Sequence, residues 1–379
     1  MGDSVTTPDP LVEVGWLAGT TVLEVTTGVA GPLVGRILGE LGADVVKVES
    51  RGKPDVNRAR VARPGDPAGF PAHEAFQLLH EANAGKRSIT IDLKTEEGRE
   101  LFDRLLGAAD VFVENFAPGW LDRLGMPIRV LRERHPSLVV LSASGYGQTG
   151  PMRSQRAYAP VMTALAGVEG LIGYGDDDVT GAMALALADL NCSYYGACLV
   201  MAALAGRAAT GLGQHIDLSQ TEAAAALVGE AFVEQQLGTA PGPRGNTGPN
   251  GESWHVVSTG ADEWVAVAGS PYRPPSVAGG RPAAADRLGR DGTEAAAVLT
   301  PAEVASSADL WTRGLFQTVP HPLLEEVTVT GLPWHVDGAA IRVRAAAPQL
   351  GAHTSEVLEE RLGLTPAEIS SLDRAGVLR

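Results

Sequence analysis

Cysteine is nearly missing from this sequence: 379 residues contain two, Cys192 and Cys198. They fall six apart in one expected helix, on different faces, so they are not expected to pair. So low a count fits a reducing cytoplasm. The first residues carry no basic region followed by an apolar core, so no secretory leader is expected. No run of about 18 uninterrupted apolar residues occurs, so no membrane span is expected. Basic residues are also short, 30 Lys and Arg against 45 Asp and Glu, for a net charge of −15. That balance argues against nucleic acid and anionic membrane surfaces as partners, although a few local cations can still make a pocket for a small anion. The eight histidines are scattered with no H-x-x-x-H spacing, which predicts no metal site. There is no internal repeat, and the first Gly-rich turn lacks the G-x-G-x-x-G dinucleotide fingerprint.

What the chain does have is globular: 44% apolar and 20% charged residues, with 46 Gly and 25 Pro. It is long enough for two domains or one large one. Val22 to Val25 reads as a strand, Gly28 to Pro32 as a turn, Leu33 to Leu41 as a helix with Pro32 at its first position, and Ala43 to Glu49 as a second strand. This is a β-α-β unit. Strand and helix patterns then alternate through Ile89–Leu93, the amphipathic helix at Thr95–Ala108, Asp110–Glu114, the helix carrying Arg123, and Leu138–Ser144. Such alternation predicts an α/β fold with a parallel sheet and ligands at the strand ends. His215–Leu218 reads as a further strand, 255–257 and 264–267 as two more, and Ala308 to Leu315 and Glu326 to Thr330 as helix and strand pieces of a second, smaller domain.

One stretch concentrates the chemistry. Ala188-Asp189-Leu190-Asn191-Cys192-Ser193 runs into the small-residue apolar segment Tyr194 to Leu204. The pattern predicts a tightly packed helix with Asn191 or Ser193 as N-cap, which sets Asp189 just before its first turn. A carboxylate there feels the positive end of the helix. Taken locally, Asp189 reads as a capping acid.

The motifs taken together resemble the class III CoA-transferases, the family that includes formyl-CoA transferase and the carnitine CoA-transferases, with the α-methylacyl-CoA racemases as relatives. The matching stretches are Val29-Ala30-Gly31-Pro32, Gly42 to Glu49, Lys86-Arg87-Ser88, Glu114-Asn115-Phe116 with Pro118-Gly119, and Gly145 to Pro151. Asp189 with Ala202-Ala203-Leu204, Gly211 to Gln214, Arg244-Gly245-Asn246 and Leu350 to Thr354 complete the series in the family's order. The resemblance implies a large Rossmann-like CoA-binding domain at 1–215, completed by 335–379, and a small α+β middle domain at 216–334, apparently shortened between Ser270 and Ala308. It also implies an interlocked, ring-like dimer, either a homodimer or a heterodimer with a related subunit.

The resemblance further implies that Asp189 is the catalytic nucleophile, overriding the capping reading, and that CoA moves from an acyl-CoA thioester to a carboxylic acid through an aspartyl-CoA intermediate. Val29, Ala30, Asn115, Phe116, Arg123 and Arg156 fall on CoA-contacting positions, and Arg51, Lys86 and Arg87 are further candidates. Gly248, Asn250 and Gly251 match a loop that covers the site. Three departures stand out. Ala159 replaces an acid. Tyr158 stands where the racemases carry a histidine, which speaks against racemisation. Ser50 replaces an arginine, with Arg51 adjacent. A non-catalytic partner subunit and an acyl-CoA isomerase are the alternative functions.

Overall fold

The computed structural model describes residues 11–59, 71–174, 179–181, 186–248, 251–260, 263–269, 280–290 and 294–379. Within them the chain forms two compact units. The first is Met1–Thr163, Ala186–Ala226 and Trp311–Arg379, and the second is Ala164–Leu185 with Leu227–Leu310.

The first unit is built on six parallel strands: β1 (Thr21–Val25), β2 (Asp44–Glu49), β3 (Arg87–Thr90), β4 (Val111–Glu114), β5 (Val139–Ser144) and β6 (His215–Ser219). Their order is β3-β2-β1-β4-β5-β6. Leu23 pairs with Val46 on one side and Phe112 on the other, so β1 and β4 flank the point where the winding reverses. Alternate residues feed opposite faces. Val22, Val45, Val111, Val113 and Leu141 pack under α1 (Ala30–Glu40) and the long Leu187–Thr210 helix. Leu23, Val46, Phe112 and Val140 pack under α3 (Glu96–Gly107), α5 (Ile128–Arg134) and the C-terminal helices Thr354–Leu362 and Pro366–Arg374. Burial on both faces explains why these strands read as continuous apolar runs. The helix before β3 is α2 (Gln77–Asn83), the short helix after β4 is α4 (Trp120–Arg123), and Leu187–Thr210 is α6.

Local signals hold where side chains make the cap. Thr95 accepts from the Gly98 N–H at 3.0 Å, and Glu96 and Glu97 fill the first turn. Two helix starts lie earlier than expected. α1 opens at Ala30, which puts Pro32 at its third residue, and Val29 makes no side-chain cap. α6 opens at Leu187 after Ala186, also without a side-chain cap, so Asp189 lies inside the first turn. Ser193 is helical, and its hydroxyl donates back to the Asp189 carbonyl at 2.7 Å. Small residues let α6 press close: a Cβ on Gly196 would lie 2.8 Å from Val34 Cγ2 and 3.1 Å from Leu141 Cδ2. The two cysteines are unpaired, as expected, with Cys192 buried and Cys198 exposed. By length and composition alone α6 could cross a membrane. Its buried face is the core contact with α1 and the sheet.

The boundaries of the units fall elsewhere than at 215/216. β6 pairs with β5, which keeps 216–226 in the first unit. The hairpin Phe316–His321/Glu325–Thr330 is tied to α2, where Gln77 donates to the Thr328 carbonyl at 2.7 Å and Glu81 accepts from the Thr330 N–H at 3.1 Å. The second unit carries an antiparallel sheet of β7 (Trp254–Gly260), β8 (Glu263–Ala268) and β9 (Glu294–Ala297), with β8 central. Val257, Val265 and Val267 pack on Ala284 of the helix Arg281–Arg290.

Candidate active site

Asp189 sits where two helices begin. The backbone N–H groups of Ala30, the first residue of α1, and of Asp189 itself, in the first turn of α6, favour the charged form of its carboxyl. Ser193 binds the two starts together, donating to the Ala30 carbonyl at 2.9 Å as well as to Asp189. Two helix N-termini thus face one half-buried carboxylate, an arrangement that favours its charge. Burial works the other way and is the larger influence, so the carboxyl titrates above its ordinary value. A carboxylate stripped of water yet fixed by backbone donors is oriented and nucleophilic. Cys192, one turn along, is pushed up to about 12 by burial and then by the Asp189 charge, so it stays a thiol.

A cavity of about 510 Å³ opens at the C-terminal ends of β1 to β4. Val25, Val48 and Ile91 form its floor, and Phe116 forms a wall, stacked on Trp120 at 4.5 Å and 21°. Three cations border it: Lys53, Lys94 and Arg123. All three are exposed. Sequence reading found Arg123 and missed both lysines; each follows the end of a parallel strand by four residues, and that offset is the signal that could have marked them. Glu114, buried at the end of β4, holds the Phe116 N–H at 2.8 Å and is pushed up to about 7 by burial.

Between cavity and carboxylate runs the turn Thr26-Thr27-Gly28, held from beneath. The Asn115 amide grips Thr27 at both N and O, 2.9 Å each. Asp55 accepts from the Gly28 and Asn57 N–H groups at 3.2 and 2.9 Å. Lys47, fully buried, donates to the Thr26 carbonyl at 2.9 Å and pairs with Asp55 at 3.0 Å and Glu24 at 3.4 Å. Arg58 joins Glu49 and Glu74, 3.0 and 3.1 Å away. The packing leaves no slack at the start of α1. A Cβ on Gly31 would lie 2.7 Å from Asn115 Cγ and 2.9 Å from Thr26 Cγ2.

The structure thus brings together Val29, Ala30 and Asp189 near one point, and Phe116 and Arg123 in the lining of the cavity, while Asn115 lies outside that lining and holds the Thr27 backbone. Lys86 is a correction. It is buried, and its ammonium donates to Glu24 at 2.7 Å, the Pro32 carbonyl at 2.6 Å and Asn83 at 3.1 Å. All three hydrogens are taken, so none remains for a phosphate. Arg87 is likewise committed, to Asp44, to Glu356 at 3.1 Å and to Glu360 at 2.6 Å. Arg51 and Arg156 are exposed and outside the cavity lining. Tyr158 is 68% exposed. Gly248 and Gly251 close a turn in the second unit, with the Gly251 N–H donating to the Gly248 carbonyl at 3.1 Å. Asn250 lies outside the described residues. Among the described residues no group of three His, Cys, Asp or Glu side chains is placed to hold a metal ion.

The first unit is thus an open, doubly wound α/β unit with a cation-bordered cleft at its switch point. The chain belongs to CoA-transferase family III, whose sequence profile matches residues 17–278 and 278–354. It is 34% identical over 253 residues to the succinate–glutarate CoA-transferase of Agrobacterium fabrum, across 66% of this chain and 62% of that protein. The match therefore spans less than two thirds of that relative. Over 410 residues it is 30% identical to the succinyl-CoA–L-malate CoA-transferase alpha subunit of Chloroflexus aurantiacus, covering 98% of this chain and 94% of that one. A CaiB/BaiF family protein from Brucella suis has the same fold, with a TM-score of 0.78 and 28% identity over 91% of this chain and 99% of that chain.

Proposed function

We propose that the protein transfers CoA from an acyl-CoA thioester to a carboxylic acid, with Asp189 as the covalent nucleophile. The observation that carries this reading is the half-buried Asp189 in the first turn of α6, tied through Ser193 to the start of α1. The aromatic wall of Phe116 and Trp120 suits a purine, and Lys53, Lys94 and Arg123 suit the phosphates of CoA. Asp189 attacks the donor carbonyl and displaces the CoA thiolate, giving a mixed anhydride. The thiolate attacks the aspartyl carbonyl, which forms the aspartyl-CoA thioester and releases the donor acid. The acceptor carboxylate then attacks the aspartyl-CoA carbonyl, forming a second mixed anhydride and freeing the thiolate. That thiolate attacks the acceptor carbonyl, leaving the new thioester and the free Asp189 carboxylate. Each step exchanges one acyl bond for another, so no metal or redox partner enters. The reading is tested by following CoA exchange between thioesters and free acids by chromatography. Exchange with ping-pong kinetics supports it; absence of exchange with every pair, by a chain that binds CoA, contradicts it.

A second reading has its own support. The Chloroflexus relative is named as an alpha subunit, and α6 exposes Leu190 and Tyr194, one turn apart on one side. We therefore also propose assembly with a second chain, identical or related, in the threaded arrangement implied by the family resemblance. Light scattering of the purified chain distinguishes a self-assembled dimer from a subunit awaiting its partner.

A further inference from the structure

A second pocket, of about 140 Å³, lies among α1, α2 and α6. We propose that it receives the acyl chain of the transferred acid and selects a short apolar monocarboxylic chain over a dicarboxylate. The inference rests on the transferase reading above. Its first support is position. Val29 and Leu190 line the pocket. One precedes Ala30 and the other follows Asp189, the two residues whose carbonyls Ser193 ties together. The pocket wall therefore begins one residue from each of them.

Size and wall come next. An apolar cavity of about 150 Å³ accepts a guest of benzene size, so this one suits a chain of about four to six carbons. Leu33, Leu78, Ala82 and Leu332 make most of the wall.

Charge decides the class. Among the described lining residues the single cation is Arg36, and it is buried. Its guanidinium is held by Glu40 at 2.6 Å, by Glu81 at 3.1 Å and by the carbonyls of Glu81 and Thr330. Two carboxylates thus already face one guanidinium. The far carboxylate of a dicarboxylic acyl group would meet Glu81 with no uncommitted cation, which is repulsive in a desolvated site. An apolar chain meets mainly Val29, Leu33, Leu78, Ala82, Leu190 and Leu332.

The test compares kcat/KM for acetyl-, butyryl-, hexanoyl-, succinyl- and glutaryl-CoA with one common acceptor acid. Butyryl- or hexanoyl-CoA should exceed succinyl-CoA by at least about tenfold. Leu33→Trp, which fills the pocket, should lower the hexanoyl-to-acetyl ratio by about tenfold, and Leu33→Ala should raise it. Glu81→Gln, which keeps the side chain's size and removes the charge, should narrow the gap to succinyl-CoA. Preference for the dicarboxylic thioesters, or a chain-length profile unmoved by both Leu33 variants while exchange continues, overturns the pocket and leaves the transferase reading standing. A folded wild-type chain that exchanges none of the five overturns both.

Discussion

Two groups of cations within one unit behave in opposite ways. Beneath the Thr26–Gly28 turn, Lys47, Lys86 and Arg58 are buried and every charge has a carboxylate partner. At the rim of the cavity a few ångströms of chain away, Lys53, Lys94 and Arg123 reach solvent. Buried cations fix the backbone that carries the Ala30 N–H; exposed ones are left to meet an incoming anion. What a lysine does here follows from how many of its hydrogens are already taken. The contrast can be broken at several points.

Asp189→Ala should lower kcat for CoA exchange by about a thousandfold or more, because it removes the nucleophile; initial-rate assays check it. Lys47→Met should leave Asp55 buried without its ion-pair partner, and Glu24 with Lys86 alone, and destabilise the fold by about 3–5 kcal/mol in urea unfolding.

Glu114 gives a pH test. Its carboxyl is raised from 4.5 to about 7 by burial, so between those values the native state holds a proton that the unfolded chain has lost. Its contribution to stability is complete below the unfolded value and is lost as pH rises through about 7. Glu114→Gln should flatten that decline by on the order of 1–3 kcal/mol across the window, read from urea midpoints in a pH series. Lys86 has the opposite sign. It is lowered from 10.5 to about 8 by burial, so its contribution makes stability rise with pH between those values.

Lys94→Ala should weaken CoA binding by about three- to tenfold, with a shallower salt dependence, while shifting stability by less than about 0.5 kcal/mol. Calorimetry at two salt concentrations reads both. Arg87→Gln should be smallest, below about 1 kcal/mol, because its Glu356 and Glu360 partners are exposed.

How much of this was legible follows from where each signal is stored. The β-α-β beginning was readable because strands buried on both faces leave unbroken apolar runs, and α3 because Thr95 caps it with its own side chain. The start of α6 was misplaced because Ala186 contributes no capping group, so nothing in the sequence marks the first turn. Lys86 was misassigned because its partner Glu24 lies 62 residues away, a pairing only the fold creates. Lys53 and Lys94 were missed for the converse reason: an exposed lysine in a loop looks like any other until a cavity forms beside it. The expected boundary at 215/216 cuts through β6, which reads as a strand at His215–Leu218 but whose pairing with β5, made only in the fold, holds it in the first unit.

The most direct measurement is intact-protein mass spectrometry after mixing the chain with a panel of acyl-CoA thioesters and quenching with hydroxylamine. A hydroxamate that maps to Asp189, and is lost in Asp189→Ala, is the result this account predicts. An unmodified Asp189 with every donor, in a chain that still binds CoA, would contradict it.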